Sequence, residues 1–405
     1  MRFKRDIVVP HQLLNDILNE QCVVFLGAGA STEGRGTSYW RELLIDGLTR
    51  ECGYPKDRPK RMQEVTQYYC KVMNAGYKGR LVRLIRERIQ RFMKYAEAYN
   101  TVTVCHHIIA SIPHLKVVVT TNWDPFMERA MNVIPIVRDT DIAYWDDTSR
   151  QVIKMHGCIT DPSSMVITLK DYKEYVRRIP QALIPNKIRD LMSTKTFLFI
   201  GYSLVDPSFQ IIHSDILKRI GNFARTSFAV LPDIKRKDAD RWKKRGVIMI
   251  KELAYPFLET LRNTLVEKGV LFPFYESIFR IEEQLHETYE MHSNTDQDTN
   301  VGFLSAMYQD GLQHGLSGLI YSLEIGLTRD QVEEDLMKMK KTLQRWRRSR
   351  DPLRYSEIAY YSGRVHSLQW FVSKVSSRLP KFFSAIRLKP IEKSEFEKER
   401  QARNS

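Results

Sequence analysis

The chain has 405 residues, 43% of them hydrophobic, which is enough for one large folded domain and a smaller one, each with its own core. No run of about 18 uncharged apolar residues could span a bilayer, and residues 1–6 lack the apolar stretch of a signal peptide. We therefore expect a soluble, cytoplasmic protein without a membrane partner. The net charge of +15 fits either contact with nucleic acid or an acidic partner, or simply solvated Lys and Arg on helix faces.

Up to about residue 270, short apolar runs alternate with amphipathic stretches. Strands are predicted at 22–27, 116–121, 152–155, 165–168, 197–201, 227–231 and 247–251. Helices are predicted at 40–50, 61–95, 101–111, 124–131, 182–194, 207–220 and 257–268. This alternation predicts an α/β fold, a Rossmann-like parallel sheet with helices on both faces. Because such sheets bind ligands beyond the carboxyl ends of their strands, a site is expected there.

Two regions depart from this alternation. Residues 51–100 are basic and helical in pattern, which predicts a helical insertion with a break at Gly76 and Gly79. Beyond Phe274 helical patterns dominate, and a polar loop is expected at 292–298. We expect an α/β domain at 1–270, a helical C-terminal domain at 271–388, and a charged tail at 389–405.

The C-terminal region contains an apolar helical stripe next to a basic cluster. The stripe consists of Leu336, Met339, Leu343 and Trp346, at three- and four-residue spacing. The cluster, around Trp346, consists of Arg345, Arg347, Arg348 and Arg350. These arginines fit either a contact to DNA phosphates or an acidic surface, or a solvated helix end favoured by the helix dipole.

The cysteine spacing argues against a structural metal site and against a disulfide-bonded scaffold. There are five, none in a Cys-x-x-Cys pair: Cys22, Cys52, Cys70, Cys105 and Cys158. The spacing excludes the usual zinc ribbon and argues against a disulfide framework. We expect buried, small apolar side chains in a reducing compartment.

Four predicted strand ends carry the residues best suited to chemistry. The first strand runs into Gly27 and Gly29, which would let the backbone approach a pyrophosphate, although Thr32 stands where a dinucleotide motif has its third glycine. The other three ends are 120–124, 155–157 and 201–206.

Each of these residues also has a purely structural interpretation. Asn122 and Asp206 are good helix caps, and for Asp206 capping is at least as plausible as ligand contact. His156 fits a hydrogen-bonded core position, and Gly201 fits a tight turn. Their coincidence at one rim of one predicted sheet favours a shared site.

The motifs Gly-Ala-Gly-Ala-Ser (27–31), Thr-Thr-Asn-Trp-Asp (120–124), Met-His-Gly (155–157) and Gly-Tyr-Ser-Leu (201–204) occur in this order. Together they resemble the sirtuin NAD-binding domain. They resemble still more closely the sirtuin-like NAD-consuming domains of bacterial anti-phage defence systems. The resemblance covers about residues 20–270.

The resemblance implies a role for each matching residue. Asn122 holds the nicotinamide ribose and positions a water, and His156 is the general base. Asp124 engages the nicotinamide amide. The remaining NAD-binding positions are Gly27, Ala28, Gly29 and Ser31 at the pyrophosphate, Gly201 and Ser203 at the adenosine-side phosphate and ribose, and Thr121.

Two parts of the protein-deacylase pattern are missing. The paired cysteines of the zinc module are absent, and residues 34–40, Gly-Arg-Gly-Thr-Ser-Tyr-Trp, replace the Gly-Ile-Pro-Asp-Phe-Arg loop. Because both parts hold an acetyl-lysine peptide, the resemblance favours an NAD glycohydrolase in which water replaces the acyl group. NAD is then a substrate, and no metal is expected.

The resemblance also implies an anti-phage effector that depletes NAD when activated, a homo-oligomer, and a HerA-like ATPase as partner. One alternative from another class stays open: a non-catalytic module that senses NAD or ADP-ribose within a nucleic-acid-handling complex. The pair Asn122 and His156 favours hydrolysis, and a deacylase or ADP-ribosyl transferase is disfavoured.

Overall fold

A computed structural model describes residues 7–31, 45–59, 61–99, 104–295, 300–324, 327–349 and 354–373. The chain divides into two compact units, Met1–Arg262 and Asn263–Ser405. Among the helices in these described ranges, none is both long and apolar enough to cross a bilayer.

The first unit is built on one parallel sheet. Its strands are β1 (Cys22–Leu26), β2 (Val117–Thr120), β3 (Gln151–Lys154), β4 (Thr196–Ile200), β5 (Ser227–Val230) and β6 (Val247–Ile250). Their order is β3-β2-β1-β4-β5-β6, with every neighbouring pair parallel. This is the doubly wound order of a Rossmann-like fold, so the predicted fold class is confirmed.

The predicted strand at 165–168 is wrong. Met165, Val166 and Ile167 are buried but join no sheet, and the segment leads into a helix instead. Thr168 caps that helix, and its side chain accepts a hydrogen bond from the backbone N–H of Asp171. The apolar run therefore reflects burial of a loop.

Helices cover the sheet and its edges. They are α1 (His11–Leu18), α2 (Gly47–Glu51), α3 (Met62–Met73), α4 (Gly79–Tyr99), α5 (Val104–Ala110), α6 (Phe126–Met131), α7 (Leu169–Arg178), α8 (Leu183–Thr194), α9 (Pro207–Ile220), α10 (Arg236–Lys243) and α11 (Ala254–Glu267). The break predicted at Gly76 and Gly79 lies between α3 and α4. The sequence interpretation missed α1, α7 and α10. In α10 only Trp242 is buried, so the apolar period that marks a helix is absent.

Side chains alternate between the two faces of the strands, as the pleat requires. One face of the sheet buries a core that includes Phe25, Phe197 and Phe199, against Phe209 and Ile212 of α9. This packing fixes α9, and with it the turn between β4 and α9, relative to the strand ends.

The helical insertion packs beside the candidate site. Val65 and Tyr69 of α3 and Ile85 of α4 form a core with Trp123, the residue between Asn122 and Asp124. The Thr66 hydroxyl donates to the carbonyl oxygen of Ile167 at 2.8 Å. The insertion thus braces the turn after β2.

The second unit is helical in its described part. It contains α12 (Phe274–Ser293), α13 (Asn300–Glu324), α14 (Arg329–Ser349) and α15 (Tyr355–Val372). Helices α13 and α15 approach so closely that a Cβ on Gly311 would collide with the Tyr360 carbonyl oxygen. Because α12 continues to Ser293, the polar loop expected from residue 292 begins later than predicted.

The predicted stripe on α14 is confirmed as a packing surface. Leu336 and Leu343 are buried, and Met339 and Trp346 pack against the same cluster. Arg345, Arg347 and Arg348 are exposed, and the Arg347 side chain donates to the Ser362 hydroxyl at 3.1 Å. Arg350 and the tail from residue 389 lie outside the described residues.

Candidate functional site

The strand register brings the ends of β2 and β3 together. Thr120, the last residue of β2, pairs with Lys154, the last residue of β3. Asn122 lies two residues after Thr120, and His156 lies two residues after Lys154. The Met155 N–H donates to the Thr120 carbonyl oxygen at 2.8 Å, which extends the ladder past the strand ends. Because neighbouring strands lie about 4.8 Å apart, the turns that carry Asn122 and His156 are neighbours.

The turns after β1 and β4 meet backbone to backbone at the point where the strand order reverses. The Gly27 N–H donates to the Ile200 carbonyl at 2.9 Å, and the Gly29 N–H to the Gly201 carbonyl at 3.0 Å. Gly201 has a φ of +59°, and a Cβ there would collide with the backbone nitrogen of Ala30. Doubly wound sheets bind dinucleotides at this reversal point, and here it is lined by backbone.

Asn122 is buried beside the glycine turn. Its amide Nδ2 lies 3.4 Å from the Ser31 hydroxyl. The Thr120 hydroxyl accepts from the Asn122 N–H at 3.0 Å and donates to the Leu26 carbonyl at 2.9 Å. These contacts connect the end of β1 to Asn122, so the two predicted motifs form one structural element.

His156 is buried in an aromatic setting. Its Nδ1 lies 3.3 Å from the Tyr172 hydroxyl, and the Tyr175 ring meets it edge-on with 5.5 Å between centroids. Among the described residues its Nε2 has no hydrogen-bond partner, although the Asp206 carboxylate lies 3.9 Å away. Burial lowers the pKa of His156, while Asp206 opposes that shift. The imidazole is therefore neutral near pH 7, with one nitrogen available to a ligand.

Asp124 is a buried carboxyl with a perturbed pKa. Burial raises its pKa to about 6, and nearby Glu128 adds to the shift while Lys154 opposes it. Its Oδ1 accepts from the Phe126 N–H at 3.3 Å, and its Oδ2 has no partner among the described residues. A buried acceptor without a donor fits a ligand amide N–H.

Below this turn lies a buried ion pair. Lys154 Nζ lies 2.9 Å from Glu128 Oε1 and also donates to the Asp124 backbone carbonyl oxygen. Burial acts to lower the pKa of Lys154, but Glu128, with help from Cys158 and Asp124, outweighs it and raises that pKa. The ammonium therefore stays charged and connects β3 to the turn after β2.

The remaining predicted positions line the rim. Ala28 and Ser203 are exposed and Thr121 is half-buried. Leu204 adopts a left-handed φ of +60°, a conformation that favours glycine, and its buried side chain holds it there. Thr32 and the loop at 34–40 lie outside the described residues.

Asp206 has the capping role that the sequence made plausible. Its Oδ1 accepts from the N–H groups of Ser208 and Phe209, at 2.8 and 3.3 Å. Pro207 occupies the first turn of α9, as expected for a helix start.

The sequence interpretation missed Lys154, Glu128 and Tyr172. The sequence could have predicted the role of Lys154, because a charged residue within an apolar strand needs a buried partner. No sequence pattern indicated Tyr172, because it lies on α7, a helix that was not predicted. All five cysteines are free and buried, as expected. Across the described ranges, no cluster of three or more His, Cys, Asp and Glu side chains could hold a metal ion.

The chain is similar to several known proteins. A family described as "SIR2-like domain" matches residues 116–250. The NAD(+) hydrolase ThsA of Enterococcus faecium is 31% identical over 221 residues, which cover 53% of this chain and 44% of that protein. ThsA of Bacillus cereus (strain MSX-D12) is 27% identical over 258 residues, 61% of this chain and 52% of that protein.

A third relative, "Defense-associated sirtuin 2" of Bacillus subtilis, is 27% identical over 198 residues, 46% of this chain and 18% of that protein. The chain thus spans about half the length of the ThsA proteins it matches. The resemblance inferred from the sequence is confirmed: residues 116–250 match a SIR2-like domain, and the chain is similar to proteins named NAD(+) hydrolase and defence-associated sirtuin.

Proposed function

We propose that the chain hydrolyses NAD to nicotinamide and ADP-ribose. The observation that carries the proposal is the burial of Asn122 and His156 on neighbouring turns, beside two glycine turns that touch at the sheet's reversal point. Three relatives named NAD(+) hydrolase ThsA, which are 26–31% identical to this chain over 221 to 280 residues, support it.

Cleavage of the nicotinamide–ribose bond needs little covalent chemistry from the protein. The bond electrons leave with the ring, which departs as neutral nicotinamide, and positive charge builds on the ribose. Water then bonds to the anomeric carbon and loses a proton. The protein has to orient the ribose, favour the developing charge and accept that proton.

The described side chains fit these tasks. Asn122 would hold the ribose and a water, and the free Nε2 of neutral His156 would accept the proton. The Asp124 Oδ2, which has no partner among the residues described, would accept from the nicotinamide amide. The pyrophosphate would lie against the backbone of Gly27, Gly29 and Gly201, three positions where only glycine lets the two turns touch, because a Cβ at any of them would collide with the opposite turn.

Ala28, Ser31, Thr121 and Ser203 complete the proposed NAD-binding set around the glycine turns. Their solvent exposure increases from Ser31, which is buried, to Ser203, which is exposed. This gradient fits a dinucleotide with its reactive end buried and its adenosine end towards the rim.

We further propose the cellular setting that the resemblance implies: a cytoplasmic defence effector that depletes NAD and acts as a homo-oligomer with a HerA-like ATPase. In this proposal residues 1–270 are catalytic, 271–388 make oligomer or partner contacts, and 389–405 are a charged tail. The exposed arginines of α14 support nucleic acid as a further partner.

The proposal is tested by incubating the purified chain with NAD, with and without a candidate activator, and measuring free nicotinamide. We expect His156→Ala and Asn122→Ala to lose at least about a hundredfold in rate while they retain the wild-type melting temperature. His213→Ala is the matched control, since it removes another buried imidazole, one packed between Phe209 and Trp242.

Equal nicotinamide release by the wild type and both site variants would overturn the site. Binding of NAD or ADP-ribose without release, with the activator present, would instead support the sensor function. Consumption of acetyl-lysine in step with NAD would indicate a deacylase.

A further inference from the structure

We propose that Asp206 is a positioning residue of the reaction: while one oxygen caps α9, the other faces His156 and stabilises the imidazolium formed when that ring accepts a proton. This inference rests on the proposed NAD hydrolysis. It gives Asp206 a task in addition to the helix cap already described.

The two oxygens of the Asp206 carboxylate have different contacts. Oδ1 accepts both N–H groups at the start of α9, which fixes the side-chain rotamer. Oδ2 lies 3.9 Å from His156 Nε2, and the Asp206 side chain is only 15% exposed. At 3.9 Å the two atoms are too far apart for a direct hydrogen bond but close enough for a strong charge interaction at a buried site.

Aromatic side chains isolate this pair from solvent. Tyr172 and Tyr175 come from α7, and Tyr202 from the turn after β4; all three rings are largely buried. The Asp206 charge contributes to a raised pKa at each of these tyrosines, after burial itself, so they stay neutral. The three tyrosines therefore bring no charge of their own to the surroundings of His156, and the Asp206 carboxylate is the acidic group that faces its Nε2.

The hydroxyls of Tyr175 and Tyr202 and the Nε2 of His156 all lack partners among the described residues. Such a cluster of buried polar atoms is suited to bind hydroxyl groups, such as those of a ribose, or a water. A hydroxyl bound between Nε2 and Oδ2 can donate to either acceptor. When its O–H bond breaks, the electron pair stays on oxygen, the proton forms the new Nε2–H bond, and the carboxylate faces the resulting cation.

The test separates charge from capping. Asp206→Asn keeps the cap, since Asn and Asp are equally good at that position, but removes the charge. Its expected melting temperature is that of the wild type. Asp206→Ala loses both. Asp215→Asn is the matched control, because it removes a carboxylate from the same helix that pairs with Arg189 and Arg219 instead.

The principal readout is the pH profile of nicotinamide release. A neutral His156 is required, so activity falls below its pKa. Without the Asp206 charge, which raises that pKa, the acid limb should move to lower pH by about one unit. The plateau rate should fall about tenfold because the base is weaker. A purely structural role would lower the rate without moving the limb, and an unmoved limb in Asp206→Asn overturns the proposal.

A second readout is independent of turnover. The ¹⁵N shifts of selectively labelled histidine report the protonation of His156, identified by loss of its signal in His156→Gln. We expect protonation at lower pH in Asp206→Asn than in the wild type and in Asp215→Asn. If the wild type released no nicotinamide, NAD hydrolysis would fail while this titration still decided the Asp206 proposal; identical titrations in all three proteins would overturn it.

Discussion

The two halves of the sheet edge are built on opposite principles. After β1 and β4 the turns meet through glycine backbone, and an added Cβ at these glycines would collide with the opposite turn. At β2 and β3 the turns carry buried polar side chains, Asn122, Asp124 and His156, above the charged Lys154. In the proposed function the first half binds the pyrophosphate, and the second half binds the reacting ribose and nicotinamide.

The difference shows where each half is vulnerable. A glycine turn fails by steric collision, whatever the pH. A turn supported by buried charges fails when one partner is removed or changes its protonation. Substitutions in the two halves should therefore give different signatures in stability, NAD affinity and pH dependence.

The largest effect on stability is expected at Lys154, in the polar half. Lys154→Met leaves Glu128 buried without its cation, and such a loss costs about 3–5 kcal/mol of unfolding free energy. Chemical denaturation measures it. The double variant Lys154→Met/Glu128→Leu should recover most of the loss, and a double variant no more stable than the single one would show that the ion pair is not the cause.

The next effect is expected at Gly201, in the glycine half. Gly201→Ala combines a left-handed φ with a collision against the opposite turn, a total of about 3 kcal/mol, together with lost NAD affinity. Gly269→Ala is the matched control, because Gly269, just after the end of α11, has a φ of +74° but no atom within 4 Å of an added Cβ. It should cost only about 1 kcal/mol and leave NAD affinity unchanged. Equal losses in both variants would show that the close approach of the turns is unimportant.

A smaller, pH-dependent effect is expected at Asp124. Its folded-state pKa of about 6 lies above the usual 3.8, so its stabilising contribution is complete below pH 3.8 and is lost as the pH rises through 6. Between pH 5 and pH 7 the loss is about 1 kcal/mol. Asp124→Asn should abolish this part of the pH dependence of unfolding, and an unchanged profile would contradict the raised pKa.

The smallest effect is expected at Ser203, on the exposed rim of the glycine half. Ser203→Ala should change stability by less than about 0.5 kcal/mol and weaken NAD binding by only a few fold, with no effect on the maximal rate. A loss of maximal rate comparable to that of His156→Ala would place Ser203 at the reacting centre instead.

The two halves also differ in how far the sequence predicted them. The glycine half was predictable because Gly27, Gly29 and Gly201 follow apolar strands directly. In the polar half, Asn122, Asp124 and His156 were predicted from their position at strand ends and from the resemblance, yet the contacts that fix them were not predicted. Tyr172 reaches His156 from a separate helix, and no local pattern encodes such a contact.

The error at residues 165–168 has the same origin. Met165 and Ile167 are buried in the same core as Tyr69 of the helical insertion, whereas Val166 is buried in the core of the sheet. A run of apolar residues predicts that the segment is buried, but it does not predict whether the segment is a strand or a loop. Asp206 shows the opposite case, in which local capping chemistry was predictable and the approach to His156, set by the packing of α9, was not.

The central claim is that one nicotinamide riboside contacts both Asn122 and His156, and a crystal structure with the uncleavable analogue carba-NAD tests it most directly. We predict ribose hydroxyls within about 3.5 Å of the Asn122 amide and His156 Nε2, the carboxamide at Asp124, and the pyrophosphate against Gly27 and Gly29. A ribose bound away from His156, with the pyrophosphate still at the glycine turns, would contradict the account.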